Sequence, residues 1–191
     1  MNKLIFIVLF FSNFWATAQS DLEKFYNQQQ KINKTGLKVL TGWAMGNILL
    51  GTASYFIVKD PYLHGFCAMN AGWNVINLGL GLGGLLSKPY TFDGKISKVL
   101  KEQSKLEKIY LFNAGLDFGY MAGGFWMHQY GISTNNNFWI GAGDAIVIQG
   151  AFLAVFDGFM FYKHQKKSKD LIKGIENMEL NLKSNGIELK F

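Results

Sequence analysis

Four blocks of mainly apolar residues dominate the chain, and each is long enough to cross a bilayer core as a helix, which takes about 20 residues. They cover residues 36–58, 63–86, 109–132 and 138–162. A tight turn at 59–62 joins the first pair, and a polar run at 133–137 joins the second. The pattern predicts an all-α integral membrane protein, a four-helix bundle made of two helical hairpins.

Three segments outside these blocks carry weaker apolar stripes at helical spacing. In residues 87–108 the stripe is Ile96, Val99, Leu100 and Leu106, and similar stripes occur before the first block and after the last. Such stripes are typical of amphipathic helices that lie on a membrane surface. We therefore predict an amphipathic segment at 19–35, a membrane domain at 36–162 and a lysine-rich tail at 163–191.

Residues 1–18 have the three parts of an export signal. Lys3 supplies the positive flank, residues 4–11 the apolar core, and Ala16-Thr17-Ala18 a small-residue cleavage site. We predict that this signal is cleaved, with an uncleaved membrane anchor as the alternative.

The basic residues bear on both partners and orientation. All 19 are lysines, in a chain of net charge +6. Lysine is a hydrated point charge without the planar fork of arginine, so anionic lipid headgroups are expected as partners and nucleic acid is not. The predicted topology places every lysine except Lys3 and Lys59 on one face. The positive-inside rule makes that face cytoplasmic, whereas a cleaved signal makes it external, so the orientation in a bacterial inner membrane stays open.

One polar residue of each predicted span falls near the middle of the membrane, and these are Asn47, Asn74, Asp117 and Gln149. Helical spacing adds neighbours to two of them. An unpaired polar group costs several kcal/mol in hydrocarbon, so we expect these faces to point inward and toward each other. The predicted faces are Asn70, Asn74 and Asn77 on the second helix and Asn113, Asp117 and Tyr120 on the third.

Rows of glycine at every fourth position predict where the helices pack most closely. Gly115, Gly119 and Gly123 form one row, and Gly79 and Gly83 form another.

The polar residues near the middle of the membrane have two interpretations. Amide groups often bond to each other between membrane helices only to determine their packing, which favours a scaffold or accessory subunit. A carboxyl group inside a membrane is instead a functional hypothesis by default, and Asp117 has no lysine at its depth. On that reading the protein is a small transporter or channel-like subunit, working as a homo-oligomer or with a membrane partner.

A third hypothesis concerns the lysine-poor face. His64, Cys67 and His128 lie there, and two histidines at matching depth suit a haem or metal ion. Interfacial histidines also serve as solvated anchors, and no tight ligand motif is present. We assign no catalytic residue and expect no cofactor, because no nucleophile elbow, phosphate loop or metalloprotease motif occurs.

The polar positions also support a family resemblance. The matching stretches are Trp43-Ala44 with Asn47, Met69–Asn74 with Asn77, Phe112–Asp117 with Tyr120, and Gln149–Leu153 with Phe156-Asp157. With these residues the chain resembles a family of small membrane proteins from Bacteroidota that is known only as a domain of unknown function. The resemblance implies a four-helix membrane fold with an export-like leader, and it implies no activity.

Overall fold

The computed structural model describes the backbone of residues 2–184 and the side chains of residues 19–176. Within the described backbone the chain is entirely helical, with no strands. The all-α, four-helix prediction is therefore confirmed. The helices are α1 (Asn2–Ile57), α2 (Pro61–Leu86), α3 (Ile96–Ser133) and α4 (Asn137–Ser184).

Local chemistry determines where the helices begin and end. The Asp60 carboxylate accepts a hydrogen bond from the Leu63 N–H at 3.0 Å, and Pro61 follows it at the first helical position. Gly94 precedes α3 and has a φ of 74°. Asn135, in the turn between α3 and α4, has a φ of 51°, a conformation that asparagine tolerates better than most residues.

α4 lies between α2 and α3 in the bundle. α3 packs along α4, α2 packs on both α1 and α4, and the backbones of α2 and α3 do not come close to each other. Glycine permits the approach of α2 to α4, since a Cβ on Gly141 would overlap the Tyr62 backbone. The prediction that the polar faces of the second and third helices point toward each other is therefore wrong.

The segments predicted to be separate surface helices are the ends of the long helices. α3 continues without a break from Ile96 to Ser133, and residues 19–35 and 163–176 belong to α1 and α4. Their stripes bury one another instead of lying on lipid: Val99 of α3 is fully buried beside Leu22 and Phe25 of α1, with Leu171 of α4 packed on them. We call residues 19–35, 96–108 and 163–176 the stalk, because α2 ends before it. The predicted tail beyond residue 176 lies outside the described side chains.

Large apolar side chains point outward from all four helices. Among them, Leu50, Phe56, Leu80, Phe118 and Val155 are 62–80% exposed. We call these five residues and their exposed apolar neighbours between positions 39 and 162 the apolar belt. By length and composition, one helix of the described side chains, Asn137–Glu176, is apolar enough to cross a membrane.

Candidate functional site

A network of amide groups joins α1, α2 and α4. The Asn47 Oδ1 accepts hydrogen bonds from the Asn70 Nδ2 at 3.0 Å and from the Gln149 Nε2 at 3.3 Å. The Gln149 Nε2 also donates to the Asn70 Oδ1. Two of the predicted midplane residues, Asn47 and Gln149, therefore meet, together with Asn70 of the predicted second-helix face. We call these three residues and Trp43 the amide network.

The amide network is satisfied on every side. The Trp43 Nε1 donates to the Gln149 Oε1 at 2.8 Å, and the Trp43 ring stacks on Phe152 with 3.7 Å between centroids. The Asn47 Nδ2 donates to the Trp43 carbonyl at 2.8 Å. With donors and acceptors paired inside the protein, the network has the properties of interhelical packing.

Two further asparagines continue this polar face along α2. The Asn74 Nδ2 donates to the Asn70 carbonyl at 2.8 Å, and the Asn77 Nδ2 donates to the Asn74 Oδ1 at 3.3 Å. Both side chains are buried. The three predicted asparagines of the second helix therefore do share one inward face.

The α3 residues predicted for the same layer do not join it. Asn113 is half-buried, and Tyr120 is 38% exposed, with its ring edge-on to Trp73 at 4.9 Å. The glycine row of Gly115, Gly119 and Gly123 faces open space, as do Gly79 and Gly83. The prediction that these rows are close-packing surfaces within the chain is wrong, because the inward face of each helix is a different one.

The contact between α3 and α4 follows a repeat of seven residues that our sequence analysis missed. Because α3 and α4 are antiparallel neighbours, a seven-residue period keeps one face of each helix on the other, as in a coiled coil. We call this contact the seam. Its residues are Gln103, Tyr110, Asp117, Gly124 and Gly131 on α3, and Gly143, Gly150, Asp157, His164 and Leu171 on α4.

Two carboxyl groups face each other in the middle of the seam. The side chains of Asp117 and Asp157 are neighbours in the seam, 2% and 5% exposed, and the Asp117 Oδ2 has no hydrogen-bond partner among the described residues. Neither belongs to an ion pair among the described side chains, where the pairs are Lys98–Asp93 and His128–Asp144. Two adjacent buried negative charges would repel each other, so this arrangement favours a proton shared between the two carboxyl groups. We call it the carboxyl pair.

From its place near the lysine-rich end of the fourth apolar block, Asp157 would be expected to pair with a terminal lysine or with solvent, but in the structure it faces Asp117. Asp157 lies seven residues beyond Gly150 and seven before His164, so its side chain points into the seam. The sequence did contain a signal for this contact: Gln103, Tyr110 and Asp117 are spaced seven residues apart, which indicates a polar face of α3 that packs on a neighbouring helix.

Polar side chains continue from the carboxyl pair toward the stalk. The Tyr110 hydroxyl donates to the Asn33 Oδ1 at 2.7 Å, and Tyr110 lies seven residues before Asp117 on the same face of α3. The Tyr110 ring stacks on the His164 ring at 5.5 Å. Beyond them, the Gln103 Nε2 donates to the His164 carbonyl at 2.5 Å.

The seam is packed differently on the other side of the pair. A Cβ on Gly143 would lie 2.6 Å from the Gly124 carbonyl oxygen, and one on Gly150 would lie 2.7 Å from the Met121 side chain. The helices are therefore in backbone contact where the seam runs toward the lysine-poor end, and they carry polar side chains where it runs toward the stalk.

A second titratable group lies near the lysine-poor end. The His128 Nδ1 is 2.7 Å from the Asp144 Oδ1, and the Tyr62 hydroxyl donates to the Asp144 Oδ2 at 2.9 Å. These two hydrogen bonds connect α2, α3 and α4 through Asp144.

The predicted metal ligands are not brought together. His64 stacks on Tyr55 of α1 at 4.6 Å, whereas His128 bonds to Asp144. Cys67 is buried, with its backbone carbonyl against Gly51. Among residues 19–176, no three His, Cys, Asp or Glu side chains form a group that could hold a metal ion.

Tyr26 of the stalk binds the loop of residues 87–95, which precedes α3 and contains Tyr90. The Tyr26 hydroxyl donates to the Tyr90 carbonyl at 2.6 Å, and its ring packs on both Tyr90 and Phe92. Burial raises the pKa of Tyr26, and burial together with nearby negative charge raises the pKa of Tyr90 to about 12. Both hydroxyls are therefore neutral near pH 7.

Comparison with protein families identifies the relatives of this chain. A family model described as "Family of unknown function (DUF6992)" matches residues 39–158, more than half of the chain. The chain belongs to the DUF6992 family. The resemblance to a family of unknown function is thereby confirmed.

The DUF6992 match includes the complete amide network and both members of the carboxyl pair. It ends before His164 and begins after Gln29 and Asn33, so part of the stalk lies outside it. No curated protein and no solved structure matches this chain.

Proposed function

We propose that this DUF6992 protein is an integral membrane protein whose carboxyl pair binds and releases a proton, as a small transporter or channel-like subunit. The observation that carries the proposal is the Asp117–Asp157 contact, because two acids lie together in a buried seam without a cationic partner among the described side chains. Intramembrane carboxyl groups are costly and commonly mark ion or proton sites.

The distribution of apolar residues supports membrane insertion. The polar residues that lower the mean hydropathy of α2 and α3, such as Asn74, Asn77 and Asp117, are buried. The outward positions of the same helices carry Leu80 and Phe118, which are 62% and 64% exposed. A soluble protein rarely exposes so extensive an apolar surface, whereas a lipid-facing one requires it.

The rest of the membrane hypothesis follows from the charge pattern. The stalk and the loop of residues 87–95, which precedes α3, carry most of the lysines. This distribution suits anionic headgroups beside the lysine-rich face. We place the protein in a bacterial inner membrane as a multi-pass protein. Four helices are few for a complete transport path, so the proposal includes a homo-oligomer or a membrane partner.

A second function, that of a scaffold or accessory subunit, is favoured by the amide network. Its groups pair with one another, so it needs no ligand to explain it. The two functions differ in the carboxyl pair: a scaffold needs no exchange of its proton, whereas a transporter does.

Infrared titration of the purified protein in lipid vesicles tests the proposed function. We expect a protonated-carboxyl band that persists near pH 7, where an ordinary exposed carboxyl group is ionised. Asp157→Asn should remove it or move it strongly, because the remaining acid no longer has a carboxyl partner. Asp170→Asn, at an exposed position of the same helix, is the matched control and should leave the band unchanged. A wild-type spectrum without this band would refute the proton-binding role.

A further inference from the structure

Three buried polar side chains form a single layer of the stalk. Gln29 of α1 and His164 of α4 are fully buried, and Gln103 of α3 is 1% exposed. Gln103 contacts the His164 backbone directly. Gln29 lies one helical turn before Asn33, whose side chain bonds to Tyr110, and the Tyr110 ring stacks on His164.

Apolar clusters lie on both sides of this layer. Farther along the stalk, Leu22 and Phe25 pack with Val99. Toward the carboxyl pair, Leu40 and Met160 pack with the Tyr110 ring, and Ile32 and Leu106 lie against that cluster. The three polar residues fall between the two clusters on every helix, so we call them the polar layer.

The polar layer has more hydrogen-bonding groups than the protein satisfies. The Nε2 and Oε1 of Gln29, the Oε1 of Gln103, and both ring nitrogens of His164 have no partner among the described residues. Buried polar groups are nearly always paired, and buried water typically makes about three hydrogen bonds to groups of this kind. Five such atoms, both donors and acceptors, suit a small cluster of water.

The polar layer also has a link to the surface. The Gln103 Nε2 donates to the Glu107 Oε1 at 2.9 Å, and Glu107 is half-buried at the side of the stalk. Tyr110 lies between the layer and the carboxyl pair, seven residues from Gln103 and seven from Asp117 along the seam. Polar groups therefore continue from Glu107 through the layer and Tyr110 to the pair.

In the opposite direction the seam itself offers no polar side chain. Past the carboxyl pair the seam consists of Gly124, Gly143 and Gly150 in backbone contact, and the neighbouring amide network is internally paired. Along the seam, polar side chains therefore lie only on the stalk side of the pair, and the polar groups on the other side, His128 and Asp144, are paired with each other.

We propose that the polar layer binds water and gives the carboxyl pair its access to protons from the stalk side of the molecule. This inference rests on the proposed function. A proton enters from solvent beside Glu107, passes through the water of the layer and the Tyr110 hydroxyl, and joins the carboxylate of the pair, which becomes neutral. The reverse path releases it to the same side.

The charged and titratable groups along this path come from two helices. Glu107 and Tyr110 belong to α3 and His164 to α4, whereas α1 presents only the uncharged Gln29 and Asn33. Because Tyr110 and His164 lie next to each other, a variant at either would alter both packing and polarity. Gln29→Leu is the cleaner test, since it removes two unpaired polar atoms and retains a similar volume.

The experiment measures how fast the protonated-carboxyl infrared band shifts after the protein in lipid vesicles is mixed with deuterium oxide. We expect Gln29→Leu to slow this shift at least fivefold and Glu107→Gln to slow it as well, with the equilibrium band retained. Gln28→Leu makes the same chemical change at the neighbouring half-buried position and should leave the rate unchanged.

The outcomes separate the two proposals. A band that is present but exchanges at the wild-type rate in both Gln29→Leu and Glu107→Gln overturns the stalk route and leaves the proton-binding role standing. A wild-type protein without the band overturns both. Glu107 is half-buried, so the route can be judged from that variant if Gln29→Leu does not fold.

Discussion

Gln149 and Gln29 are both fully buried, but their amide groups differ in partners. The Gln149 amide bonds to Trp43, Asn47 and Asn70, whereas both polar atoms of the Gln29 amide lack a partner among the described residues. Removing one member of a paired buried set leaves the others unsatisfied, at a cost of about 1–3 kcal/mol for each group. The energetic role of a buried glutamine is therefore decided by its neighbours.

This difference predicts opposite results for the same substitution. Gln149→Leu should lower the free energy of unfolding by about 2–4 kcal/mol, because it leaves the Trp43 N–H and the Asn70 Oδ1 without partners. Gln29→Leu should change it by less than about 1 kcal/mol, since no described protein group loses a hydrogen-bond partner. Chemical unfolding of both variants in mild detergent, followed by circular dichroism, measures the contrast. Equal losses of stability would contradict our account of the amide network.

At the scale of the helices, glycine separates the faces that pack from those that do not. On α3, Gly124 contacts the Gly143 backbone, whereas Gly119 faces open space. Both positions are helical, so their different surroundings arise only from which face of α3 meets α4. The sequence analysis chose the row with the regular four-residue spacing, but the seven-residue row forms the seam.

Alanine at these positions should therefore have opposite effects. Gly143→Ala places a Cβ 2.5 Å from the His128 backbone nitrogen, so we expect the helices to separate and the protein to lose about 1–3 kcal/mol of stability. Gly119→Ala meets nothing within 4 Å and should stabilise α3 by about 0.5–1 kcal/mol, because alanine has the higher helix propensity. Thermal unfolding of the two variants provides the measurement. Destabilisation by Gly119→Ala would indicate that its face is covered by a second molecule.

At the scale of the whole molecule, an apolar belt surrounds a polar interior, and a lysine-rich stalk extends from one end. Length and composition alone select one helix as a membrane span, because asparagine, glycine and aspartate lower the mean hydropathy of the other helices. Those averages ignore which side of the helix each residue occupies. The described structure separates the two sides, and our membrane proposal rests on that separation.

Charged substitutions in the apolar belt test this proposal. We expect Leu80→Lys and Phe118→Lys to reduce the amount of protein recovered in the membrane fraction several-fold, because lysine near the bilayer centre costs about 2.5–3.5 kcal/mol. Ser97→Lys, in the exposed part of the stalk, adds the same charge and should have no effect. Extraction of wild-type protein by alkaline carbonate would refute membrane integration.

Hydrophobic blocks and local capping signals determined the helices, because helix formation depends on neighbours along the chain. The sequence thus predicted four helices, their approximate connections, the inward asparagines of α2 and the common depth of Asn47 and Gln149. Only the tertiary structure decided that α4 separates α2 from α3, that the amphipathic segments join into a stalk, and that Asp157 rather than an asparagine faces Asp117. Those features depend on which helix faces become neighbours, and a residue's spacing along one helix does not specify the partner across from it.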